Sequence, residues 1–348
     1  MDQPKVTKET KNKIRVEFDR TPLLERLKAK FISLYFLKNI VWFIFRLIIL
    51  IGICYIILFP FFSQIADSFK AGGDFVDSTV RLIPRNFTLE TYQRIIVDTH
   101  YFEAFGNTFV LSFMTALIQT FVCCVIAYGI AKFKFRGNNI VFMAVILTMV
   151  IPHITIRSSL SMSFTNFDIY GIIGLLSKIG ILPDKYAEGI NLMNTHWPLI
   201  IMSLGGLAFK NGLYIFLLRQ FFRGVPDELE ESAYMDGSGT FRTFIQIILP
   251  LSVPMMITVF LFSFCWQWMD DFYVSLFYTS SKVNMLHKII STHVNIDTEA
   301  LAGPAAPAFE AAIKNTKVLL IIAPLVVLYA FCQRFLVQGI ERSGLTAD

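Results

Sequence analysis

Pro226-Asp227-Glu228-Leu229-Glu230-Glu231-Ser232-Ala233-Tyr234-Met235-Asp236-Gly237-Ser238-Gly239-Thr240-Phe241, running on to Ile247-Ile248-Leu249-Pro250, lies between two long apolar segments. Asp227, Glu228, Glu230, Glu231 and Asp236 crowd into the first part of this stretch. The pattern predicts a helix, a glycine break and a second helix. Asp227 is placed to N-cap the first helix, with Glu230 three residues on, as in a capping box. The early carboxylates suit the positive end of a helix dipole. Gly237 can take the left-handed conformation that ends a helix. Ser238 or Thr240 can cap the second helix, which is expected to stop near Pro250. An acidic helix pair between two apolar segments has nothing of its own to pack on.

The rest of the chain is a membrane protein by composition. Of 348 residues, 55% are hydrophobic and 35 are Phe, and only 16% are charged, below the roughly 25% of soluble domains. Mean hydropathy is +0.58. A span needs about 20 mostly apolar residues. Six segments qualify, at about residues 40–62, 108–131, 140–160, 198–222, 253–273 and 318–337. Runs of this length are helices, because lipid leaves no other partner for the backbone. The predicted fold is an all-α polytopic membrane protein with six transmembrane helices.

Orientation follows from Lys and Arg in the flanks. Ten of them precede the first span, from Lys5 to Lys38. Lys132, Lys134 and Arg136 follow the second, Arg219 and Arg223 close the fourth, and Arg334 and Arg342 follow the sixth. Both termini and the acidic loop are then cytoplasmic. The net charge of +5 reflects this bias and speaks for anionic membrane lipid before nucleic acid. Cys54, Cys123, Cys124, Cys265 and Cys332 all sit in apolar spans and read as small hydrophobes. His100, His153, His196, His287 and His293 lack ligand spacing, so no metal site is expected.

The domain reading follows these marks. Residues 1–38 form a basic tail, polar and disordered over 1–20, with an interfacial helix built on Leu23, Leu24, Leu27, Phe31, Leu34 and Tyr35. The first span occupies 39–63. No signal-peptide cleavage pattern is seen, so this span is expected to stay. An external loop fills 64–106, with Thr88 expected to cap a short helix. The transmembrane core covers 107–338, including the cytoplasmic loop 223–250, and a tail covers 339–348. The external stretch 157–191 is read as either a docking helix or a longer loop.

The acidic stretch resembles the coupling motif of importer-type ABC transporter permeases. That motif is Glu-Ala-Ala, three residues, Gly, nine residues, Ile, one residue, Leu-Pro. Glu231-Ser232-Ala233, Gly237, Ile247, Leu249 and Pro250 keep its spacing, with Ser at the second place. Further stretches, Phe87-Thr88-Leu89-Glu90-Thr91-Tyr92, Asn107-Thr108, Phe135-Arg136-Gly137 and Gln333-Arg334-Phe335-Leu336-Val337-Gln338-Gly339, are similar to the carbohydrate-type members. The segment 157–191 departs by extra length. At Met269 that family usually has Asn, which puts any role of that amide in doubt. The resemblance covers about residues 85–345.

It implies a permease subunit of a bacterial or archaeal plasma-membrane importer, for a sugar or oligosaccharide. It further implies a second permease subunit, two ATP-binding cassette subunits and an extracytoplasmic solute-binding protein. ATPase coupling would fall to Glu231, Ser232, Ala233, Asp236, Gly237, Ile247, Leu249 and Pro250. No Gly-x-x-x-x-Gly-Lys-Ser/Thr loop occurs in the chain. ATP and Mg are therefore expected on the partner ATPases, with no cofactor and no catalytic residue here. A secondary transporter would want inverted repeats and charges within the spans. The spans read as nearly free of charge apart from Arg46 and, near one end, Asp270 and Asp271. A membrane enzyme would want clustered His, Asp or Cys at one face, and none is seen.

For the substrate path, the end of the fifth span offers Trp266, Trp268, Asp270 and Tyr273. Trp266 and Tyr273 are seven apart and would share a helix face, with Trp268 and Asp270 elsewhere. Aromatic rings and carboxylates suit a sugar's C–H face and hydroxyls. An interfacial aromatic belt explains the same residues.

Overall fold

A computed structural model describes residues 5–8, 14–17, 34–208, 210–280, 282–294 and 305–342, with side chains described over 38–336 within those ranges. The chain divides into two units, Met1–Ala66 and Asp67–Asp348.

In the first unit, β1 (Lys5–Lys8) and β2 (Ile14–Glu17) pair antiparallel, with Val6 opposite Val16. The expected disorder over residues 1–20 is corrected at 5–8 and 14–17, and the rest of that stretch lies outside the described residues. Val6, Thr7, Ile14 and Val16 are β-branched residues suited to a paired strand. The predicted interfacial helix lies outside the described residues, apart from its last two positions. Those already belong to α1 (Leu34–Ser68), which carries the first apolar segment.

The second unit is helical. α2 (Glu90–Asp98) leads into α3 (Tyr101–Lys132), and α4 (Asn138–Val150) precedes α5 (Arg157–Thr165). α6 (Ile172–Lys178), α7 (Trp197–Leu204), α8 (Asn211–Gly224) and α9 (Glu228–Met235) follow. α10 runs Thr240–Trp268 and includes a π turn at Phe244–Ile248. α11 (Phe272–Phe277), α12 (Leu286–Ile289) and α13 (Ala305–Arg342) complete the described helices.

Among the described residues, four helices are long and apolar enough to cross a membrane: Lys38–Ser68, Tyr101–Lys132, Thr240–Trp268 and Ala305–Leu336. Of the six expected segments, four are single long helices, and the third and fourth are broken. The third breaks at Ile151-Pro152, and its halves are bent by 93°. Pro152 has no N–H and pushes Ile151 into extended backbone. The fourth is two helices, α7 and α8, separated by Gly205–Lys210, with Gly206 and Lys210 at positive φ. The second helix begins at Tyr101, seven residues before the expected start, and the fifth begins at Thr240 and ends at Trp268.

α3 is the centre of the unit and packs against α10, α8 and α7. Toward its C-terminal end Cys123, Cys124 and Tyr128 meet Tyr214, Leu218, Phe222, Ile248 and Val259. Toward its other end, Ala104 and Ala116 join Phe264, Trp268, Phe309 and Ile321. A third cluster joins Leu111 to Phe164, Leu199, Tyr273 and Phe277. A polar junction ties three helices midway. Ser263 Oγ donates to Gln119 Oε1 at 2.6 Å, and Gln119 Nε2 donates to Ser203 Oγ at 3.3 Å. Such interhelical bonds contribute about 0.6–2 kcal/mol in lipid. Gly212 lets α8 approach α4 closely, since a Cβ there would stand 2.6 Å from Thr148 Oγ1 and 2.9 Å from Val145 O. Pro324 in α13 frees the Leu320 carbonyl four residues back, and Tyr101 Oη donates to it at 2.9 Å.

The cysteines are free thiols, Cys123 and Cys124 buried and Cys54 exposed. No metal-holding cluster occurs among the described residues. Thr88 Oγ1 accepts from Glu90 N at 3.1 Å, although the N-cap position itself is Leu89. The 157–191 stretch folds on itself. Asp168 accepts from the first turn of α6, at Ile173 N (2.7 Å) and Gly174 N (3.1 Å), and Phe167 bridges Ile190.

Candidate functional site

The acidic stretch forms the two elements expected, with different caps. Asp227 sits in helical backbone and makes no capping bond to α9. Its carboxylate instead takes a hydrogen bond from Lys132 Nζ at 2.5 Å, from the end of α3. That bond holds the Asp227 pKa below the usual 3.8. The capping-box expectation is corrected on this account, because the side chain it needs is drawn to a cation from another helix.

At the other end the glycine reading holds. Gly237 has φ +81. Ser238 N bonds to Ala233 O at 2.9 Å and Gly237 N to Tyr234 O at 3.0 Å, a complete Schellman pair. Neither Ser238 nor Thr240 caps the next helix. The N-cap position is Gly239 in extended backbone, and Thr243 Oγ1 donates back to its carbonyl at 3.2 Å.

Pro250 does not stop the second helix. The π turn just before it inserts an extra residue, which relieves the clash a proline ring makes with the carbonyl four residues back. The second helix of the acidic stretch and the long apolar helix are therefore one rod, α10. Its 29 residues span about 43 Å at 1.5 Å per residue.

Two faces of α9 differ. Glu230 and Ala233 point inward and are buried. Glu230 Oε1 lies 3.7 Å from Lys132 Nζ, and Tyr128 Oη donates to Oε2 at 3.5 Å. Lys132 also donates to Val225 O at 2.7 Å. The Tyr128 ring packs on Phe244 at 4.7 Å and Phe222 at 5.6 Å. Lys132 thus ties Val225 and Asp227, just before α9, and Glu230 within it to the end of α3. Glu231, Ser232, Asp236 and Gly237 are exposed, as are Leu229, Tyr234, Met235 and Phe241. Met235 is 88% exposed and Phe241 76%, an apolar surface set among carboxylates. Ile247 and Leu249 are half-buried against the cluster around Ile248, and Pro250 is exposed.

Sequence reasoning missed Lys132, Tyr128 and Glu230 as an anchor. The signal available was a basic residue at the end of one apolar run facing an acidic loop. It also passed over the exposed pair Met235 and Phe241.

The four candidates near the fifth segment separate. α10 ends at Trp268, so Trp266 and Tyr273 do not share a helix face, which corrects that expectation. Trp266 is 46% exposed, with Lys210 Nζ 4.8 Å from its ring centroid. Trp268 is buried, and its Nε1 donates to Ile321 O at 3.0 Å, three residues before Pro324. Asp270 is buried and accepts from Tyr273 N at 3.2 Å and Gln267 Nε2 at 3.3 Å. Tyr273 is buried, with its ring 6.2 Å from that of His153. Lys210 was missed as a charge within an apolar segment. It stands midway along the fourth.

Residues 119–342 match the family model described as binding-protein-dependent transport system inner membrane component. The chain is similar to the inner membrane ABC transporter permease protein YcjP of Escherichia coli (strain K12), 25% identical, over 83% of this chain and 91% of that protein. It is 26% identical to the maltodextrin transport system permease protein MalD of Streptococcus pneumoniae (strain ATCC BAA-255 / R6), over 85% and 92%. Its fold is similar to a chain in the crystal structure of a bacterial ABC transporter involved in the import of the acidic polysaccharide alginate. That match has a TM-score of 0.61 and 18% identity, and covers 85% of this chain and 97% of the other.

Proposed function

Because the chain belongs to the family of binding-protein-dependent transport system inner membrane components, we propose that it is one permease half of an ATP-driven saccharide importer. Its partners are a second permease subunit, two ATP-binding cassette ATPases that carry ATP and Mg, and an extracytoplasmic solute-binding protein. The chain itself performs no catalysis. The third and fourth apolar segments each cross as a broken helix, giving six crossings with both termini cytoplasmic. The saccharide reading is supported by the maltodextrin permease among the relatives.

The observation that carries the coupling role is the geometry of 226–250. α9 presents Glu231, Asp236 and Met235 outward while Lys132 holds its inner face on α3. ATPase closure would push α9. The Schellman turn at Gly237 passes the push to Thr240, and α10 carries it along its length. Packed helices with two discrete arrangements turn such a shift into a change of access.

The test is purification of the tagged chain from its native membranes. An ATP-binding cassette protein should co-purify, and a saccharide with its binding protein should stimulate its ATPase activity. Uptake that ignores ATP depletion and collapses with an ionophore would overturn the reading in favour of a secondary transporter.

A further inference from the structure

The breaks in the third and fourth segments meet. Thr148 and His153 from one, with Gly206, Lys210 and Asn211 from the other, line a cavity of about 120 Å³. That volume holds several waters or one end of a sugar ring. Non-helical backbone at membrane depth is tolerated where it lines such a cavity.

Three features of the lining share one chemistry. Lys210 brings a cation to the middle of an apolar segment, in left-handed backbone at φ 66, and lies over Trp266. Charges in that setting mark ligand or ion paths. Asn211 is 1% exposed, and neither its Nδ2 nor its Oδ1 has a hydrogen-bond partner among the described residues. Leaving such groups unmet is costly, and a ligand would remove that cost. α8, of 14 residues, starts at Asn211 and adds its positive end. No acidic side chain is among the lining residues.

We propose that this cavity binds the anionic group of a charged saccharide, with Lys210 and the Asn211 amide as its donors and Trp266 beside the sugar ring. The inference rests on the saccharide-importer reading and narrows its substrate to an acidic sugar. Trp266 is also near the far end of α10, so the rod that starts at the coupling turn ends beside the bound ring.

The test is calorimetry on the assembled membrane complex in nanodiscs, without the solute-binding protein, so that only the membrane site is read. The probes are a uronate disaccharide, a neutral disaccharide of the same linkage, and a hexose phosphate. The acidic probes should bind and the neutral one should bind at least about tenfold more weakly, the scale of one charge-assisted contact. Lys210→Gln should erase that preference and Lys210→Arg should keep it. Preference for the uronate makes the anion a carboxylate, and preference for the hexose phosphate makes it a phosphate. Either supports the assignment. Where Lys210→Gln does not assemble, Asn211→Leu replaces it, and a lowered acid-over-neutral ratio is expected. Equal binding of neutral and acidic disaccharides, or a preference unchanged in Lys210→Gln, overturns the proposal and leaves saccharide import standing. ATPase activity that no saccharide stimulates, with the binding protein added back, removes the saccharide reading itself.

Discussion

Lys132→Met tests how α9 is held. Lys132 and Glu230 have side chains 7% and 11% exposed, with 3.7 Å between their charges. Removing one partner of a buried pair costs about 3–5 kcal/mol, since the other charge stays buried. The 3.7 Å separation and the long 3.5 Å bond from Tyr128 put this pair at the low end, about 3 kcal/mol. The lost bond to Val225 O overlaps with this figure and does not simply add to it. The exposed Asp227 contact adds little. About 3 kcal/mol is a factor of roughly 150 in a local opening equilibrium. Hydrogen exchange of residues 226–238 in the purified chain reads that opening directly. Lys132→Met should speed it by about two orders of magnitude and leave the middle of α3 unchanged. Lys132→Met with Glu230→Met should restore most of the protection, because an apolar pair replaces a buried ionic one at little cost. Exchange within threefold of wild type in the single variant, or no recovery in the double, would refute the anchor.

Gly237→Ala meets no atom within 4 Å, so its penalty comes from φ +81 alone, about 1–2 kcal/mol; ATPase coupling should weaken, Gly237→Asn should weaken it less, and Gly237→Pro should abolish transport. Glu231→Lys reverses a charge on the outer face of α9 and should abolish uptake with the protein still inserted; normal uptake in a flux assay would remove Glu231 from the docking surface. Asp74 is held below 3.8 mainly by the Asn86 N–H, so its contribution is complete above 3.8 and is lost as pH falls below it. Proteolysis of residues 70–88 should stay flat from about pH 7 to 5 and rise only in stronger acid, as for any carboxylate of lowered pKa. Deleting Met1–Arg20 should leave uptake within about twofold, below the usual range of allosteric effects.

How much of this was legible depends on range. Gly237 could be read because a helix end needs a left-handed residue, and the Schellman bonds involve only neighbours in sequence. Asp227 was misread because its partner, Lys132, lies 95 residues away. Pro250 looked like a stop, and only the π turn at Phe244–Ile248 makes it passable. That turn has no local sequence mark. The apolar count across 198–222 hid the break at Gly205–Lys210, because an average over a span dilutes one lysine among aliphatic residues. Trp268 and Asp270 are polar-tipped residues near an end, a pattern shared by belts, paths and packing. At Trp268 the structure shows a buried ring whose Nε1 donates to Ile321 O, a contact no local pattern marks.

The most direct test of the coupling claim is cysteine cross-linking at Met235, the most exposed apolar side chain of α9. With the native cysteines replaced, Met235→Cys in native membranes should form an adduct with an ATP-binding cassette subunit, in a yield that changes with nucleotide. Tyr170→Cys, 99% exposed next to α6, should form none with that subunit. No adduct from Met235→Cys, or an ATPase adduct from Tyr170→Cys instead, would contradict the account.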